Sequence, residues 1–146
     1  MRKTLGLAAA LAVAALGTAQ AQTGPNLIEM RQVAFSLMSG DYAGIRAVAT
    51  AKGDVKTLEG PAKAIQRYAA ILPSLFPQGT ASGNNTKALP EIWSDNPGFV
   101  KAASGLGDAA GKLADAAKSG DADAVATQVK AVGDACGACH RTYRAR

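Results

Sequence analysis

The sequence predicts an all-α fold, a bundle of four helices, on three observations. Hydrophobic residues make up 48% of the 146-residue chain but aromatics only 5%, and alanine, the strongest helix former, supplies much of the difference. Apolar residues recur at steps of three and four in four separate segments, which is the period of one helix face. No segment sustains the period-two alternation of a strand. The length suits one domain, and no repeat or second domain is visible.

The first residues stand apart from that fold. Arg2 and Lys3 precede an apolar run from Leu5 to Leu16, and Ala19-Gln20-Ala21 supplies a small-x-small cleavage pattern. This reads as a secretory signal over residues 1–21. An apolar run of about 12 residues falls short of the roughly 20 that span a bilayer, so no stable membrane insertion is expected. The folded domain is then 22–146. Without Arg2 and Lys3 its charge is 14 basic against 11 acidic residues. The excess gathers at Arg141, Arg144 and Arg146. It forms no long stripe of the kind nucleic acid requires, but it suits docking of an acidic partner.

The elements follow in order. The first helix is expected from Asn26 to about Ala49, with Ile28, Arg31, Phe35, Met38 and Tyr42 on one face. Pro25 is compatible with a first turn, and Gly40 beside Asp41 marks a local break. Lys52 to Asp54 is a turn. The second helix is expected from Val55 to about Leu72, buried through Leu58, Ala62, Ile65, Tyr68, Ala69 and Leu72. Pro61 must lie in its first turns, and Pro73 stops it. Residues 74–96 read as a long irregular crossover anchored by Leu75, Phe76, Ile92 and Trp93, and Trp93 is read as a packing plug. Asn96 followed by Pro97 signals the start of the third helix, whose stripe is Phe99, Ala102, Leu106, Ala109, Leu113 and Ala117. Gly120 ends it. Asp121 caps the fourth, whose stripe runs Val125, Val129, Val132, Cys136, Cys139 and Tyr143.

Cys136-Gly137-Ala138-Cys139-His140 carries the chemistry. Thiols at i and i+3 project from one side of a helical turn, where two thioethers to a porphyrin would form, and the adjacent imidazole is placed to ligate its iron. The five-residue pattern reads as c-type haem attachment. A dithiol redox pair, a structural disulfide and a zinc site compete with it. The first normally follows a strand; the second would constrain little across three helical residues; the third lacks ligands. His140 is the only histidine in the chain, so a bis-histidine haem within one subunit is excluded. In the domain only Met30 and Met38 offer a thioether sulfur. A bulky haem would also help to fill an alanine-thinned core.

The chain resembles cytochrome c′, the high-spin branch of the class II c-type cytochromes, over essentially all of 22–146. The likeness rests on Ile28-Glu29-Met30-Arg31-Gln32, Phe35 and Leu37-Met38; on Leu75-Phe76-Pro77, Gly79-Thr80 and Pro90 to Asp95; and on Cys136 to His140 with Tyr143-Arg144. The placement of the haem motif close to the C-terminus is its most specific part. The resemblance implies a left-handed, antiparallel four-helix bundle in the periplasm, one haem c per subunit and a homodimer formed through the first two helices. It implies His140 as the iron ligand, Arg144 close to it, Arg31 near the haem propionates, and Phe35 over the open face of a five-coordinate iron. The implied role is electron transfer, binding of small neutral gases such as nitric oxide and carbon monoxide, or both, without enzymatic turnover. A low-spin, methionine-ligated electron carrier is the alternative. Arg141 departs from the acidic residue usual after the histidine, which bears on partner choice.

Overall fold

Asn26 starts the first helix because its side-chain oxygen accepts from the amides of Ile28 and Glu29, at 3.0 and 3.3 Å, satisfying donors that a helix start leaves orphaned. The computed structural model describes residues 26–146. The expected signal over residues 1–21, and Pro25, lie outside the described residues. Helix α1 runs from Leu27 to Thr50. The break expected at Gly40 does not occur. Each glycine costs a helix about 1 kcal/mol, but Met38 and Ile45 on either side are buried and hold the turns in place.

The second helix is divided. Val55–Leu58 is a 3-10 turn, α2 spans Glu59–Ile71, and Leu72–Leu75 is a second 3-10 turn. Pro61 accounts for the late start, since its ring would collide with the Thr57 carbonyl if the α-helix extended further back. Pro73 falls in the closing 3-10 turn. The crossover contains a helix that periodicity did not predict, α3, the single turn Glu91–Ser94. Helices α4 and α5 span Asn96–Ser119 and Ala122–Tyr143. Gly120, at φ 80°, ends α4, and the Asp121 carboxylate caps α5 through the Ala124 amide at 2.9 Å.

Two expectations for α4 need correction. Its cap is Asp95, which accepts from the Gly98 amide at 3.2 Å; the Asn96 side chain points back to the Ile92 carbonyl. Its buried stripe runs through Ala103, Ala110 and Ala114, while Ala102 and Ala109 are half-buried. Helix α4 packs against α2 on one side and α5 on the other, so its buried arc is centred between them.

The helices form a ring, α1 against α2, α2 against α4, α4 against α5 and α5 against α1. One apolar cluster joins Met38, Ile45, Leu58, Ile65, Leu113, Val125 and Val132. A second, of Phe76, Ile92, Phe99 and Tyr143, joins the crossover to the ends of α4 and α5. The chain end then pairs with the crossover. The Leu89 amide donates to the Tyr143 carbonyl at 3.1 Å and the Ala145 amide to the Lys87 carbonyl at 2.8 Å, a single antiparallel bridge at Ala88 and Arg144.

Candidate haem site

Where the two clusters meet, the bundle holds a cavity of about 590 Å³, within the roughly 300–1,000 Å³ typical of ligand and cofactor sites. Cys136, Cys139 and His140 line it from α5, and Arg31, Phe35 and Met38 line it from α1. Ala102 and Ala103 of α4 also form part of its wall. Small residues at these positions leave the width that larger ones would fill.

The α5 wall brings together what the spacing predicts. Cys136 and Cys139 are free thiols, each half-buried. Burial pushes both thiols up from their ordinary range, and the neighbouring Cys136 adds to the effect at Cys139. Burial of this kind lowers the share of thiolate that either cysteine carries. Among the described residues no group of three metal-binding side chains assembles. His140 is exposed at the mouth. Desolvation of its ring, and then the charge of Arg144, hold its imidazole below the usual histidine range, so the neutral, iron-ligating form is favoured at neutral pH. Helix α5 stops at Tyr143, and Arg144 is extended, at φ −130° and ψ 128°. Arg144 therefore reaches the cavity from the terminal bridge rather than from a continued helix face.

The α1 wall is anchored by Arg31, 2% exposed. Its guanidinium donates to the Thr80 hydroxyl and carbonyl at 2.9 and 2.7 Å and to the Thr86 hydroxyl at 2.8 Å, and it lies 4.4 Å from the centre of the Phe76 ring. All these partners are neutral. Burial lowers the Arg31 pKa, and no carboxylate pairs with it among the described residues. A buried cation without an anion is costly, and a cofactor carboxylate would supply the missing charge. Phe35 sits one turn along, edge to face with Phe76 at 6.3 Å. Met38 is buried in the same wall, whereas Met30 is 43% exposed and lies outside it.

Phe76, Phe99 and Tyr143 also line the cavity and were not among the residues singled out for the site. Their rings run on from Phe35 as edge contacts at 5.0 Å for Phe76–Phe99 and 5.3 Å for Phe99–Tyr143. The helix stripes held Phe99 and Tyr143 and the crossover anchors held Phe76, but nothing in their spacing joined the three rings to one cavity. Trp93 is the plug expected of it: its indole donates to the carbonyls of Phe76 and Pro77 at 2.9 and 3.1 Å and does not line the cavity.

Apolar walls, two free half-buried thiols on one side, a mouth-side imidazole and an unpaired buried guanidinium fit a haem with its two carboxylates. The comparisons agree. The family model described as Cytochrome C' matches residues 26–144. The chain belongs to the cytochrome c′ family. Cytochrome c′ of Rhodospirillum rubrum is 34% identical, covering 99% of each chain. A mutant of cytochrome c prime from Alcaligenes xylosoxidans, solved as its nitric oxide complex, superposes with a TM-score of 0.74 at 30% identity, over 82% of this chain and 94% of that one. A cytochrome c′ described as having an unusual ligand-controlled dimer dissociation gives 0.77 at 31% identity, over 82% and 95%. Membership in the cytochrome c′ family makes this chain a monohaem electron-transfer protein with one covalently bound haem c, and not an enzyme.

Proposed function

We propose that Cys136 and Cys139 carry the haem as thioethers, that His140 is its protein ligand, and that the opposite face is an open site for small neutral gases. The observation that carries this is the shared cavity. One histidine opens on it from α5, while the α1 wall presents an aromatic ring, Phe35, and a buried cation, Arg31. Haem supplies a one-electron ferric–ferrous couple and an iron site for nitric oxide or carbon monoxide. Arg31 holds a propionate by charge and anchors it to the crossover through Thr80 and Thr86. Phe35 excludes water and lone-pair donors and must move before a ligand can enter. Arg144 biases His140 against protonation from the proximal side.

The nitric oxide complex of the Alcaligenes relative supports gas binding. The dimer of another relative supports a homodimer, for which α1 offers an outward stripe of Met30, Val33 and Leu37, all exposed. Location in the periplasm, after cleavage of residues 1–21, completes the reading, and N-terminal sequencing of exported protein should begin at Gln22. Acid organic solvent should leave the haem on the chain, and mass spectrometry should find one haem on the peptide holding Cys136 and Cys139; freely extracted haem would overturn the attachment.

Met38 supports a second reading, in which its buried sulfur reaches the iron and the protein is a low-spin electron carrier. The ferrous absorption spectrum separates the two. A broad, unsplit visible band marks an open iron, while a sharp, split band that Met38→Ala abolishes marks a methionine ligand.

A further inference from the structure

We propose that the mouth of the haem cavity is a docking face for the acidic surface of a one-electron redox protein, built from Lys87, Arg141, Arg144 and Arg146. This rests on the haem reading above and adds to it the route by which electrons arrive. In sequence the three arginines sit together and Lys87 is far away. The terminal bridge brings it to them: the Ala145 amide donates to the Lys87 carbonyl at 2.8 Å, and the Lys87 ammonium donates to the Arg146 carbonyl at 3.4 Å. Lys87 and Arg144 both line the cavity mouth. Arg141 folds back along α5, so that a Cβ on Gly137 would lie 3.4 Å from its guanidinium. Its charge therefore stands over the turn between the two cysteines.

All four cations are exposed and none pairs with a side-chain carboxylate among the described residues. The two segments that build the mouth, 79–90 and 135–146, contain no aspartate or glutamate, and a terminal carboxylate cancels at most one of the four charges. His140, the exposed member of the site, shares the cavity lining with Lys87 and Arg144 and directly precedes Arg141, so positive charge is gathered beside the exposed edge of the site. Charge so arranged steers an oppositely charged partner and orients it toward the cofactor. The transfer is a single electron: the partner loses it, ferric haem becomes ferrous, and no bond forms or breaks.

Flavodoxin, an acidic flavoprotein, serves as the probe. Its anionic hydroquinone becomes the neutral semiquinone as it reduces the ferric holoprotein, with no proton required. Stopped-flow rates should fall at least tenfold between about 10 and 300 mM salt, as steered encounters do. K87Q/R141Q/R146Q should lose most of that low-salt rate, and K87Q/R146Q part of it if the triple variant is not isolated with haem. K101Q/K112Q/K118Q, which removes as much charge from α4, should change the rate less than twofold. Carbodiimide coupling in the complex should form an amide between the Lys87 amine and a flavodoxin carboxylate in preference to Lys101, Lys112 or Lys118. A salt-independent rate, equal losses in the two triple variants, or coupling without preference for Lys87 would overturn the docking face. A preparation without covalent haem by mass would instead overturn the reading on which it rests.

Discussion

In the proposed reading, Phe35 is the residue on which ligand access turns. Opening the α1 wall requires its ring to leave an edge contact with Phe76 at 6.3 Å, worth about 0.5–1.5 kcal/mol, and to repack against a filled wall at about 1–3 kcal/mol. Phe35→Ala should therefore speed carbon monoxide association by roughly tenfold or more, measured by flash photolysis of the ferrous protein. Unchanged kinetics would mean that the ring does not gate the iron. Tyr143 is a second residue with a measurable signature. Its hydroxyl donates to the Asp95 carboxylate at 2.8 Å, and that bond, with desolvation and the Asp95 charge, leaves the phenol pushed up to about 12, against about 10 unfolded. The folded state thus holds the phenolic proton more tightly. The resulting stability is complete below pH ~10 and is lost as pH rises through about 12. Thermal unfolding across pH 9–12 should show wild type falling more steeply than Tyr143→Phe, with parallel curves ruling out the coupling.

At the scale of elements, the start of α4 ties the site to the bundle. Asp95 accepts from the Gly98 amide and from Tyr143 at once, so one carboxylate caps α4 and holds the end of α5, three residues past His140. Asp95→Ala should cost about 1–2 kcal/mol and lower the thermal midpoint by several degrees, whereas Asn96→Ala should cost a few tenths. Equal effects would restore Asn96 as the cap. That pair was not legible beforehand, because Asn-Pro is as good a cap signal as Asp-Asn and only the 2.8 Å partner on α5 separates them. The cavity-lining face of α5 was legible, since Cys136, Cys139 and Tyr143 continue the three-and-four spacing of Val125 and Val132. The outer stripe of α1 gives an element-scale test of the dimer. Leu37→Glu places a charge among Met30 and Val33 and should leave only the one-subunit mass in sedimentation velocity at micromolar concentration.

For the whole molecule, the cavity links the cofactor to the fold. A dry void of about 590 Å³ would cost on the order of 14 kcal/mol at about 24 cal/mol per Å³, comparable to the entire net stability of a domain, about 5–15 kcal/mol. Water admitted through the mouth would relieve part of that cost while wetting apolar walls. The chain without haem should therefore lose its fixed packing. Cys136→Ser/Cys139→Ser should retain helical circular dichroism but bind a hydrophobic dye and unfold with reduced cooperativity. A sharp transition at the wild-type temperature would show that the bundle stands without its cofactor.

The sequence by itself determined the helical architecture, the class of cofactor and the thiols and imidazole that the proposal assigns to its attachment. These depend on local spacing: a 3.6-residue period, turn residues such as Gly120, and two thiols and an imidazole within five positions. Tertiary structure alone decided which distant groups share the cavity. Arg31 meets Thr80 and Thr86, Phe35 meets Phe76, and Lys87 meets Arg146 through contacts 41 to 59 residues apart in the chain. It also decided that α1 runs unbroken through Gly40, because tertiary burial of Met38 and Ile45 outweighs a local helix propensity. Periodicity reports which face of a helix is buried, but the partners against that face are set only when the helices pack.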